Sequence, residues 1–71
     1  MTNSIVLAKE YGENKGINNK TIWSIIQVDN YQIKNLDYFI YKHEAIKFCK
    51  KNNLTINKLI DTTKDETIFN N

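Results

Sequence analysis

Between Thr21 and Asn53 the hydrophobic pattern of the chain changes period once. Up to Leu36, β-branched and aromatic residues come in two short runs, Thr21 to Val28 and Tyr31 to Leu36, the composition of half-buried strands. Asp29 and Asn30 between the runs suit a two-residue turn, because Asp and Asn tolerate positive φ better than other residues that carry a side chain. With Val28 opposite Tyr31, Ile26 meets Ile33 and Ser24 meets Asn35 on one side of the hairpin. Gln27 then meets Gln32, Ile25 meets Lys34 and Trp23 meets Leu36 on the other. Most of these pairs match apolar with apolar or polar with polar, and a one-residue slip would turn one strand's side chains to the wrong face.

From Lys42 to Asn53 the spacing becomes helical. At about 100° per residue, Ala45, Ile46, Phe48 and Cys49 share one face, while His43, Glu44, Lys47, Lys50 and Lys51 share the other. The late lysines complement the negative end of the helix dipole, and Asn52 and Asn53 are suitable terminators. A helix of about 12 residues is roughly 18 Å long, the length of a five- or six-residue strand, so it can lie along a sheet.

The flanking segments complete the expectation. Ser4 to Lys9 reads as a short strand, with a short helix as the competing reading, and Tyr11 to Lys20, which holds both glycines and three asparagines, reads as a loop. Leu54, Ile56 and Ile60 alternate as in a strand, although Ile56, Leu59 and Ile60 also have helical spacing. The strand is favoured because a β-α-β crossover would then cover one sheet face. The predicted fold is α+β: a small, mostly antiparallel sheet, made of the hairpin 21–36 and one or two further strands, with one amphipathic helix packed on one face. It forms a single domain over 1–71, with frayed ends at 1–3 and about 62–71.

Which face the helix takes decides where a partner could bind. If it covers Ile22, Ile26, Val28, Tyr31 and Ile33, then Trp23, Ile25 and Leu36 lie on the other side. They form an apolar patch there unless Ile5, Leu7 or Phe69 closes over it. An open patch of this kind marks a binding or dimer surface, and Trp is the strongest anchor of the three. Trp23, Ile25 and Leu36 are therefore the expected partner-binding residues.

Composition narrows the chemistry. Seventy-one residues bury only about 60% of their unfolded surface, enough for one core of modest stability. A hydrophobic fraction of 41% with 25% charged residues is ordinary for a globular chain. The chain has one His, one Cys, no Arg, no Pro and two Gly. A zinc site needs three or four His or Cys ligands, which one copy of each cannot supply. His43 falls on the polar helix face and reads as a solvated surface group. Cys49 falls on the apolar face, where a free Cys packs as a small hydrophobe rather than a nucleophile. Asp61, Asp65 and Glu66 cluster, but Thr63 and Glu66 stand where a calcium loop needs a ligand and a glycine. Gly12 and Gly16 lack the Lys-Ser/Thr of a phosphate-binding loop. No catalytic site, cofactor or metal is expected, and the chain reads as a non-enzyme.

The net charge is +2, and every basic side chain is Lys. Lys47, Lys50 and Lys51, extended by Lys42 and Lys58, form a candidate contact for nucleic acid or an acidic partner. Lysine lacks the guanidinium fork that reads phosphate and guanine bidentately, so a normal solvated face is the simpler reading. No run approaches the roughly 20 apolar residues that span a bilayer, and Ile5 to Ala8 is too short for a secretory signal. With a lone Cys, a cytoplasmic setting is expected. The leading expectation is a protein-protein interaction module docking on a larger protein, such as a small regulator or inhibitor from a phage or mobile element, with a homodimer as a further arrangement. The alternative is a weak nucleic-acid-binding protein that uses the helix lysines.

Overall fold

A computed structural model describes residues 4–63. The chain runs through β1 (Ser4–Tyr11), a 3-10 turn (Gly12–Lys15), β2 (Thr21–Val28), β3 (Ile33–Phe39), α1 (Lys42–Lys51) and β4 (Ile56–Asp61). The strands form one sheet in the order β3-β2-β1-β4. β2 is antiparallel to both β1 and β3, whereas β4 lies parallel to β1. Since β3 and β4 then point the same way, α1 carries the chain from one edge of the sheet to the other. The fold is α+β, with a mixed sheet rather than an antiparallel one throughout. Ser4 to Lys9 is the start of a central strand, and the 54–60 segment supplies an edge strand. Residues 1–3 and most of the expected tail, including Asp65, Glu66 and Phe69, lie outside the described residues.

The hairpin forms with a different register from the predicted one. Val28 pairs with Ile33 instead of Tyr31, and four residues, Asp29 to Gln32, make the loop. A two-residue turn of the expected kind needs positive φ, and among the described residues only Asn19, Asn53 and Gly16 adopt it. Asp29 builds the wider loop instead. Its Oδ1 accepts hydrogen bonds from the backbone N–H of Tyr31 (2.8 Å) and Gln32 (2.9 Å), and its own N–H donates to the Gln32 carbonyl at 3.1 Å. Beyond Ile26–Asn35 the register shifts by one residue, so Leu36 is an extra residue in β3. Trp23 therefore pairs with Phe39, not Leu36.

The helix lies on the opposite face from the one predicted. Leu7 pairs with Ile25 and Ile5 with Gln27, so β1 adds two large apolar side chains to the face that carries Trp23 and Ile25. On the other face β1 contributes only Val6 and Ala8 as apolar residues, and β2 sets the polar Ser24 among Ile22, Ile26 and Val28. The face that gains Ile5 and Leu7 takes the helix. Ile5, Leu7, Ile25, Ala45 and Cys49 form the buried core, and Trp23, Leu36, Phe39, Ile46, Phe48, Leu54 and Ile56 pack partly buried against it. The expected helix stripe of Ala45, Ile46, Phe48 and Cys49 is the one that packs inward.

α1 stops at Lys51, two residues before the predicted end. Asn53 takes a left-handed conformation (φ 59°), its N–H donates to the Lys50 carbonyl, and the Leu54 N–H donates to the Cys49 carbonyl at 2.8 Å. Those paired bonds close a helix C-terminus with Asn in the position glycine usually fills.

Candidate docking surface

Trp23, Ile25 and Leu36 are not an open patch. Ile25 is fully buried, and Trp23 and Leu36 are half-buried against the core beneath α1. Two ammonium groups stand over the Trp23 ring, with Lys9 Nζ 5.7 Å and Lys42 Nζ 5.4 Å from its centroid. At such partly exposed sites each cation–π contact contributes about 0.5–1 kcal/mol and helps hold the ring down. The premise that these three residues face solvent fails, because α1 packs on their side together with Ile5 and Leu7 from β1.

One group of open apolar positions lies on the reverse face and along β3, while Tyr11, Ile40, Tyr41 and Leu59 are exposed elsewhere. Pairing places Ile33 beside Val28, Val28 beside Ser4, and Ile26 between Asn35 and Val6. Tyr38 follows further along the same face opposite Ser24. Ile33 is 74% exposed and Tyr38 37%, while Val6, Ile26 and Val28 are half-buried. Two charged side chains border this group: Lys58, which pairs with Val6, and Glu10, which reaches Ser24 opposite Tyr38. Tyr31, in the hairpin loop, is 92% exposed. The remainder of the face is closed: Ala8, Ile22 and Ser24 are buried, and the Ser24 hydroxyl donates to the Glu10 carboxylate. Sequence reasoning missed this group because Ile26 and Val28 look like core once the helix is assigned to their side.

β3 is also a sheet edge, and it is guarded. The extra residue at Leu36 breaks the regular pleat, and the Tyr38 N–H is taken up by Asp37 Oδ1 at 2.8 Å. Bulges and charged groups of this kind discourage another strand from pairing with an edge. Contact with this region would be made by side chains on the face rather than by backbone on the edge.

Two of the three helix lysines come together. Lys47 and Lys51, one turn apart, rim an open cleft of about 290 Å³ with Glu44. Phe39 and Phe48 line it, with ring centroids 5.6 Å apart and planes tilted by 48°. Lys50 does not line it. A second hollow of about 460 Å³ sits at the mouth of the β1–β2 loop, among Tyr11, Glu13, Asn19, Lys20 and Thr21.

The reactive side chains are dispersed. His43 is exposed and stacks on Tyr41, with centroids 5.7 Å apart. Cys49 is buried on the inner face of α1, and burial pushes its thiol pKa up, away from the thiolate. Among the described residues no three His, Cys, Asp or Glu side chains gather as metal ligands, and no helix is long and apolar enough to cross a membrane. No family model, curated protein or solved structure matches this chain.

Proposed function

We propose that the protein is a non-catalytic docking module that binds a larger folded protein through the sheet face turned away from α1. The observation that carries this reading is the uncharged group of Ile33, Val28, Ile26, Val6 and Tyr38, with Ile33 three-quarters exposed. Single exposed apolar residues are common on any protein, but neighbouring ones on a rigid sheet offer area that a partner can dry. A four-stranded sheet backed by a helix holds these side chains in place, so little ordering entropy opposes binding.

A nucleic-acid reading fits less well. Single-strand binders combine a basic groove with aromatic rings on which bases stack. Here Lys47 and Lys51 share a cleft with Phe39 and Phe48, but Glu44 sits on its rim, Lys50 does not line it, and Tyr38 lies on the opposite sheet face. Trp23 is held between two lysines and the core.

The test compares capture from host lysate by the full-length protein, by Ile33→Asp and by the triple variant Lys47→Glu/Lys50→Glu/Lys51→Glu, followed by direct titration with the purified partner. A partner retained by the lysine variant and weakened about 30-fold or more by Ile33→Asp, a loss of about 2 kcal/mol, supports the reading. Loss of binding only in the lysine variant overturns it. So does a sedimentation profile in which Ile33→Asp merely dissociates a homodimer, which would make the face a self-contact.

A further inference from the structure

The cleft between the end of β3 and α1 has a composition that selects its occupant. Its floor is the tilted pair Phe39 and Phe48, and its rim is Glu44, Lys47 and Lys51. Residues 44, 47, 48 and 51 are spaced by three, one and three, so they form one ridge along the flank of α1. Ala45 and Cys49 beside them are buried in the core. A volume of about 290 Å³ lies at the bottom of the range for small-molecule sites, and the cleft is open, so it suits a single inserted side chain. The stems of Lys47 and Lys51 can cover an apolar group while their ammonium groups stay at the mouth. Among the described residues no hydrogen bond or ion pair engages either lysine, although Glu44 stands three residues before Lys47.

The geometry points to a binding site for an acidic peptide segment of another protein, which inserts one aromatic or aliphatic side chain between Phe39 and Phe48. Carboxylates flanking that side chain meet Lys47 and Lys51. Glu44, seven residues before Lys51 on the same rim, can accept a peptide N–H and would repel any unbroken run of anions, so the carboxylates belong on the Lys47 and Lys51 side. A nucleobase could stack its face on one of these rings, so an oligonucleotide is the competing occupant that the test includes. The inference is independent of the sheet-face reading, since the cleft lies on the α1 side.

The test is selection from a phage-displayed library of random dodecapeptides on the full-length protein. The enriched peptide is then titrated into isotope-labelled protein, and amide resonances are followed. The expected consensus is one large apolar residue flanked by Asp or Glu. Its titration should shift Phe39, Glu44, Lys47, Phe48 and Lys51, and binding should weaken with added salt. Lys47→Glu/Lys51→Glu should lose about tenfold or more in affinity with an unchanged circular dichroism spectrum. Ile33→Asp should bind the peptide as the wild type does, which separates this site from the sheet face. Failure to enrich any sequence, a basic or uncharged consensus, or full binding by the double variant overturns the proposal. A random single-stranded oligonucleotide that shifts the same resonances at lower concentration than the peptide also overturns it.

Discussion

Ile5 begins its pairing with β4 by donating its backbone N–H to Asn57 Oδ1, 2.8 Å away. The β1–β4 register explains why a side chain does this work: Ile5 pairs with Ile56 and Val6 with Lys58, leaving Asn57 as an extra residue. Its carboxamide stands in for the backbone carbonyl that the irregular step removes from the ladder. Asn57→Ala leaves the Ile5 donor partly buried without a partner, which costs about 1–3 kcal/mol. Asn57→Asp keeps an acceptor and should lose much less. Urea unfolding of the two variants checks this, and equal losses would mean that the hydrogen bond does not hold the edge.

The two faces of β2 should respond unequally to truncation. Ile25 is fully exposed to the core and not to solvent at all, while Ile26 is half-buried on the reverse face. Ile25→Ala should cost about 2–5 kcal/mol, the range for a buried truncation, and Ile26→Ala distinctly less. Trp23→Ala should also destabilise, because the ring packs against the core with Lys9 and Lys42 over it. Thermal melts of the three variants decide the matter, and a Trp23→Ala melt like the wild type would place the ring outside the core.

What could be read in the chain was what depends on neighbours a few positions apart. The inward stripe of α1 follows from helical spacing within one segment, and the strand character of 21–28 follows from its β-branched residues. Register and face depend on longer relationships. Asp29 widens the hairpin loop through two bonds that no spacing rule anticipates. Leu36 enters as an extra residue and brings Phe39, rather than Leu36, opposite Trp23. The choice of face rests on Ile5 and Leu7, which join the sheet from across the Gly12–Lys20 loop. The Phe39–Phe48 cleft inherits all three, because it exists only once β3 is extended past Leu36 and α1 lies over Ile25.

Gly12 and Asn53 should respond in opposite directions. Gly12 donates to the Lys20 carbonyl at 2.8 Å and accepts from Ile17, closing the loop between β1 and β2. A Cβ there would stand 2.6 Å from the Ile17 carbonyl oxygen and 2.9 Å from that of Lys20, both backbone atoms with little room to move. Gly12→Ala should therefore destabilise by about 1–3 kcal/mol, the range for overpacking. Asn53 sits at φ 59°, where glycine carries no steric penalty. Asn53→Gly should stabilise by up to about 1 kcal/mol. Paired chemical denaturation curves read both signs.

Cys49 offers a direct probe of the core. It is 1% exposed, and burial raises its thiol pKa, so both access and thiolate fraction are low in the folded state. A thiol reagent such as dithionitrobenzoate should label it only as fast as the helix opens, with full labelling in denaturant. Rapid labelling of the native protein at neutral pH would show that α1 does not stay docked on Leu7 and Ile25.

Asp29 links the hairpin loop to acid. The Tyr31 N–H, and then the Gln32 N–H, donate to its carboxylate and hold its pKa below the ordinary value of 3.8, against a small opposing effect of burial. Those bonds are absent in the unfolded chain, so the unfolded state takes up the proton more readily. Their contribution is fully present above the ordinary carboxylate range and is lost as pH falls through that range toward the lowered folded value. Acidification below about pH 4 should loosen the loop before the sheet gives way, seen as faster hydrogen exchange at Tyr31 and Gln32 than at Ile25. Asp29→Asn keeps an acceptor but no titrating group, so exchange at those two amides should become independent of this ionisation once the intrinsic pH dependence is removed. If the wild-type amides show no such step, the carboxylate does not hold the loop, and the four-residue turn must be fixed by the Asp29 N–H to Gln32 carbonyl bond alone.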